Sequence, residues 1–347
     1  MVLNRFRPLF FLFLCIPAIV LGQVRSVLTL KKNWKFHKGQ DSMAYKMAFD
    51  DSKWQSVTIP HDWAIYGPFD KEIDKQVVAI EQNNEKVATE KTGRTGALPY
   101  VGQGWYRNKF RIPQYKKGQK VILLFEGAMS EPKVYVNGNK VGEWGYGYSY
   151  FHFDITEQVL ADKLNTIAVQ LTNVESSSRW YPGAGLYRNV RVIVKNKESI
   201  DLWGTYITTP FISPEMAKVN IKTKASGDGF HLVTRIIDAV GDTLSTDITH
   251  LKFGNEFDQN IAVPDPKLWS PESPYLYTAV SQLFVGDELK DEVTTRFGIR
   301  DIKYDSKTGF SLNGKTRKFK GVCLHHDLGP LGAAVNRSAL KRQLRIL

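Results

Sequence analysis

From Gln23 to Lys197 apolar and polar side chains alternate with a period of two, broken at short intervals by turn residues. The stretch from Asn165 to Thr172 turns Ile167, Val169 and Leu171 to one face and Thr166, Ala168, Gln170 and Thr172 to the other, as a half-buried strand does. Val190, Val192 and Val194 alternate with Arg191, Ile193 and Lys195 in the same way. Val121 to Phe125 is apolar throughout, which predicts a strand covered on both faces. Lys133 to Val141 reads as a hairpin, with Asn137-Gly138 supplying the positive φ of a tight turn. No long amphipathic helical pattern interrupts these runs, so residues 23–197 are predicted to form a sandwich or jelly roll.

A second set of strands is predicted at Val219 to Lys224, Leu232 to Asp238, Gln259 to Val263, Tyr275 to Leu283 and Thr294 to Ile299. They fall within residues 198–300, a span of about one hundred residues that suits an immunoglobulin-like sandwich, here without the paired cysteines of antibody domains. No flexible linker separates the two sets, and they are expected to pack together.

The pattern changes over residues 301–347. Phe310 to Phe319 reads as a hairpin around Asn313-Gly314, its second arm continuing as a strand from Phe319 to Leu324. A polar, glycine-containing loop from His325 to Asn336 leads to Ser338, the expected N-cap of a helix in which Leu340, Leu344 and Leu347 share a face. A strand, a loop and one helix cannot bury both their faces. Either the neighbouring sandwich covers them or they open a (β/α) domain, and the second reading is preferred; it makes this chain the leading portion of a longer protein.

Composition changes this picture in three places. Arg5 and Arg7 precede an apolar run from Leu9 to Leu21, the mark of a secretory signal peptide over residues 1–22; the run is shorter than the ~20 apolar residues of a membrane span. The chain is therefore expected to be exported, to the periplasm or outside the cell. Beyond that segment only Cys323 remains of the two cysteines, so no disulfide is expected within the mature chain. Of the net charge of +12, the stretch from Asp301 onward carries +7, from ten Lys or Arg against three Asp. With no recognition motif or phosphate loop beside it, this basic stretch does not indicate nucleic-acid binding.

Candidate chemistry lies at His325-His326-Asp327, where a predicted strand runs into a loop before a helix, the position at which (β/α)₈ barrels build their sites. The alternative is a pair of loop histidines making structural hydrogen bonds. The spacing fits no metal motif, and no metal or other cofactor is expected.

Together these segments resemble glycoside hydrolase family 2. Asp51-Ser-Lys-Trp54, Val57 to Trp63, Gly104-Trp-Tyr-Arg107, Tyr135-Val-Asn-Gly138 and Arg179 to Val190 are similar to that family's sugar-binding jelly roll. Leu268 to Tyr277 and Arg296 to Arg300 resemble its immunoglobulin-like domain, and Phe319 to Asp327 with Leu331-Gly-Ala-Ala334 resembles the opening of its (β/α)₈ catalytic barrel in the β-galactosidase form. The resemblance implies a retaining mechanism with two glutamates about 5 Å apart on later barrel strands. None of the acidic residues present takes either role, so this chain alone is expected not to hydrolyse glycosides. His325 matches a family histidine that bonds galactosyl hydroxyls, with His326 beside it. Arg179, standing where well-known members have an aspartate, and Trp180 are expected to line the same subsite for a β-galactoside or related glycan. Trp34, Trp54, Trp63, Trp105, Trp144, Trp203 and Trp269 are expected to be core anchors or inter-domain contacts, and Glu126, Glu131 and Glu143 solvated or bonded strand residues. A non-catalytic carbohydrate-binding or scaffold module is the alternative function.

Overall fold

A computed structural model describes residues 24–73, 75–92, 102–113, 115–175, 177–178, 180–227, 229–250 and 254–347. The predicted signal peptide and Arg179 lie outside the described residues.

The chain is mainly β, as its alternating pattern requires. Two antiparallel sheets face each other in the first module. One orders Arg25–Thr29, Val190–Lys195, Lys120–Phe125 and Phe151–Asp154; the other orders Gln55–Val57, Trp34–Lys38, Gly102–Phe110, Asn165–Asn173, Lys133–Val136 and Asn139–Glu143. Their inner faces interlock Trp34, Phe36, Leu123, Phe125, Val169 and Val192, all buried. The hairpin at Asn137-Gly138 turns with φ of 50° and 87°, the pair of positive values that matches the twist of its strands.

The strand Lys120–Phe125 is covered on both faces, as its unbroken apolar run predicts. Val121, Leu123 and Phe125 enter the sandwich core, while Ile122 and Leu124 join Ile193 on the other side, where Leu202 of the second module packs on them.

The second module sets Ser199–Ile212, Met216–Ser226 and Glu256–Pro264 against Thr243–His250, Phe230–Ile237, Tyr277–Val285 and Glu288–Phe297. The alternation is clean along Glu256–Pro264 and Phe230–Ile237, where every second residue is buried. Sequence periodicity misses Ser199–Ile212, because register shifts between Ile200 and Thr205 and between Thr208 and Phe211 break its alternation.

A buried polar joint ties the modules. Arg25 Nη2 donates to Asp291 Oδ2 at 2.5 Å and to the Ile200 carbonyl at 2.6 Å, and the Ile200 N–H donates to Asp291 at 2.9 Å. Trp203 belongs to the same junction, its ring 6.0 Å from Tyr150 and 5.4 Å from His152. Trp34, Trp63 and Trp105 are core anchors. Trp144 departs from the expectation: it is exposed, stacks on Phe151 at 5.9 Å and donates to Ser149 Oγ within its own module. Glu126 and Glu143 are bonded to Arg191 and Lys140.

After the second module come Ile302–Asp305, Gly309–Leu312 and Lys315–Thr316, the last two joined at Asn313-Gly314. The ladder stops at Thr316, and residues 317–324 form no strand. A strand exists only where a neighbour takes up its hydrogen bonds. No described strand lies alongside this stretch, and Phe319, Val322 and Leu324 are exposed. The helix is Arg337–Ile346, and its N-cap is Asn336, whose side chain accepts from the Ala339 N–H, two residues before the expected Ser338.

Candidate functional site

The loop after residue 324 turns back on the first module, against the turn from Trp180 to Tyr187. Two segments far apart in sequence therefore meet face to face. The His325 ring lies 5.0 Å from the Trp180 indole. His326 is held by three groups: its ring meets Tyr148 edge-on at 5.3 Å and Tyr187 at 5.4 Å, and its Nε2 donates to the Pro182 carbonyl at 3.0 Å. A carbonyl can only accept, so Nε2 carries the proton. Burial pushes the His326 pKa below the ordinary histidine value, with the Pro182 bond and Asp327 opposing it.

Tyr148 joins the two halves of the cluster, accepting from Trp180 Nε1 at 3.1 Å. Burial raises its pKa, and pushes that of Tyr187 up to about 12. Both hydroxyls stay protonated, and Tyr187 donates to the Gly147 carbonyl at 2.9 Å. The surface so formed has aromatic faces, a neutral imidazole fixed in one tautomer and an exposed imidazole, a combination suited to the apolar faces and hydroxyls of a sugar.

Beneath the turn lies Asp62, 1% exposed. Its Oδ1 accepts from the Ala64 and Ala184 N–H groups at 2.9 and 3.0 Å, and its Oδ2 from Tyr181 Oη and the Ala333 N–H at 2.7 and 2.8 Å. In sequence this residue falls within the family-like segment Val57 to Trp63 without a role of its own. Tyr148 lies outside the family-like segments, and Tyr187 falls within Arg179 to Val190 without a role of its own. The sequence signal for Asp62 is a carboxylate set between apolar and aromatic neighbours, which has to find donors if it is buried.

Both histidines also line a cleft of about 1030 Å³ with Tyr150, Glu126, Arg188 and Arg191. Glu126 is its one lining carboxylate among the described residues, and it is already engaged by Arg191 at 2.6 Å and Asn189 at 2.8 Å. Among the described residues no group of three His, Cys, Asp or Glu is placed to hold a metal ion, and no helix is long and apolar enough to cross a membrane. Of the expected site residues, the structure brings His325, His326 and Trp180 together; Arg179, their neighbour in sequence, is outside the described residues.

Residues 27–196 match the family model for the sugar-binding domain of glycosyl hydrolases family 2, and residues 200–300 match a further model of glycosyl hydrolases family 2. The chain is 36% identical over 326 residues to the beta-galactosidase BoGH2A of Bacteroides ovatus, covering 91% of this chain and 36% of that protein. It is 33% identical to a putative beta-glucuronidase of Formosa agariphila, covering 91% of this chain and 29% of that protein. A crystal structure of a family 2 glycosyl hydrolase from Bacteroides cellulosilyticus superimposes with a TM-score of 0.82 at 32% identity, covering 92% of this chain and 41% of that one. The chain thus spans well under half the length of these relatives. Two successive family models in the family's order, carried on two sandwiches that superimpose on a solved member, place this chain in glycosyl hydrolase family 2.

Proposed function

We propose that the chain forms the sugar-binding and immunoglobulin-like portion of an exported retaining glycoside hydrolase that acts on terminal β-galactosides in carbohydrate metabolism. Trp180, His325 and His326 line its sugar subsite, with Arg179 beside them by family resemblance. The observation that carries this reading is the meeting of Trp180 and His325 at 5.0 Å, which joins the sugar-binding module to the segment resembling the barrel opening. The relative named a beta-galactosidase supports a galactoside as ligand. The charged and apolar order of residues 1–22 supports export.

Hydrolysis with retention needs two carboxyl groups roughly 5–5.5 Å apart, one as acid and one as nucleophile. Among the described residues the cleft beside the histidines offers only Glu126, and its oxygens are taken by Arg191 and Asn189. On this reading residues 1–347 contribute binding, and the glutamates belong to a (β/α)₈ portion encoded further along. Purified protein incubated with chromogenic β-galactoside and β-glucuronide is expected to release no more chromophore than a heat-killed control; turnover refutes the assignment. Reading the gene past Leu347 tests the rest. An in-frame barrel sequence supports the hydrolase, and a stop followed by unrelated sequence supports a non-catalytic carbohydrate-binding module.

A further inference from the structure

We infer that Asp62 is the positioning residue of this subsite: one buried carboxylate holds both walls, and the pairing of Trp180 with His325 depends on it. The inference rests on the reading of the aromatic and imidazole cluster as a sugar subsite. Each wall reaches Asp62 through main-chain or hydroxyl donors rather than through a replaceable surface contact. The wall from the first module comes through Tyr181 Oη and the Ala184 N–H, immediately after Trp180; the wall from the later segment comes through the Ala333 N–H, 271 residues away in sequence from Asp62. Both oxygens of the carboxylate accept two donors; three of the four come from the two walls, and the fourth, the Ala64 N–H, closes Asp62's own turn.

The glycines on either side show how close this approach is. A Cβ at Gly183 falls 2.9 Å from Asp62 Oδ2 and 2.3 Å from Ala333 Cβ, and one at Gly332 falls 2.5 Å from the same oxygen. Both glycines have positive φ, 69° and 65°, which an L side chain adopts only under strain. Ala333 is fully buried with Met129 and Tyr187, and the adjacent Val335 N–H donates to the Tyr187 carbonyl at 3.0 Å. Within the later loop the Leu328 N–H donates to the Gly332 carbonyl at 2.8 Å, which carries the fixed position of Ala333 back towards His326 and His325.

An amide at position 62 keeps the size of the side chain but turns a donor towards two of the donors it must satisfy, so Asp62→Asn is expected to release the later loop. The chain has seven histidines, which makes selectively 13C-histidine-labelled protein a direct reporter. In the wild type the His325 and His326 ring signals are displaced by the aromatic rings they face; substitution of each histidine by Gln assigns them. In Asp62→Asn both are expected to collapse towards the positions of free histidine, while His231 and His250 of the second module stay in place. Gly332→Ala, whose Cβ falls 2.4 Å from Ile65 Cγ2 and 2.5 Å from the same oxygen, presses on the first module from the loop side and is expected to give the same pattern with His37 and His152 unmoved. If Asp62→Asn disturbs His37 and His152 as well, Gly332→Ala decides. His325 and His326 signals left at their wild-type positions in the deciding variant overturn the inference. Titration with methyl β-D-galactoside separates the two claims: saturable movement of the wild-type His325 and His326 signals, abolished in Gly332→Ala, is the expected result. A wild type blind to the sugar, with the variants still collapsing, removes the subsite reading and leaves Asp62 as the residue that docks the loop.

Discussion

Acid should loosen the first module through His61. This residue is 8% exposed, its Nδ1 lies 2.6 Å from Tyr106 Oη, and its ring sits against Phe36 and Tyr66 at 5.2 and 6.1 Å. None of those neighbours offers a negative charge, so burial lowers its pKa from 6.5 to about 4. The folded state therefore binds this proton less readily than the unfolded chain, and the contribution is full above pH 6.5 and lost as the pH falls towards 4. Between pH 7 and pH 5 the two pKa values give a loss of about 2 kcal/mol, or roughly 4–8 °C in melting midpoint for a module of this size. Scanning calorimetry on the wild type and His61→Gln at both values isolates the effect. The substituted protein starts from a different stability at pH 7, but its further loss on acidification should be smaller than that of the wild type by about 2 kcal/mol. Equal losses in the two proteins would refute the argument. His326, also lowered by burial, is present in both and cancels in the comparison.

Two further outcomes follow from buried ion pairs. Arg107 is fully buried, donating to Asp51 at 2.8 Å and to the Ala44 and Lys46 carbonyls; Asp51→Ala should cost about 3–5 kcal/mol by urea unfolding, and adding Arg107→Met should recover a large part of it. Asp291→Ala strips Arg25 and the Ile200 N–H of their partner at the junction of the two modules. Its expected signature is separation of one calorimetric transition into two, with the joint weakened by about 3 kcal/mol or more, and a single unchanged transition would contradict the role given to this joint.

Turnover and the positioning of the subsite need different things of the chain. Turnover concerns carboxylates, which the described residues of the cleft do not supply in a free pair. Positioning concerns the approach of two loops, which is complete within the described residues.

Much of the architecture was legible along the chain because a two-residue alternation has one cause, a strand with one face buried. Glu256–Pro264 follows it residue by residue, Asn165–Asn173 follows it only from Val169 onward because Thr166 and Ala168 are covered as well, and the Asn-Gly pairs at 137 and 313 marked their turns because few other residues accept positive φ. Local pattern could not report Ser199–Ile212, whose bulges reset the alternation, nor the end of the ladder at Thr316, since pairing depends on a neighbour that is remote in sequence.

The candidate site divides along the same line. The chemistry of His325, His326 and Trp180 could be read from residue type and motif. Their meeting could not, because it depends on a loop folding back 145 residues in sequence from Trp180 to His325. Asp62 makes the difference plain: in sequence it is one acidic residue in a short motif, and in the fold it is the acceptor on which four donors from three segments converge. Periodicity and turn chemistry are local properties that the amino-acid order determines by itself, whereas the satisfaction of a buried charge is decided by whichever segments the tertiary structure brings to it.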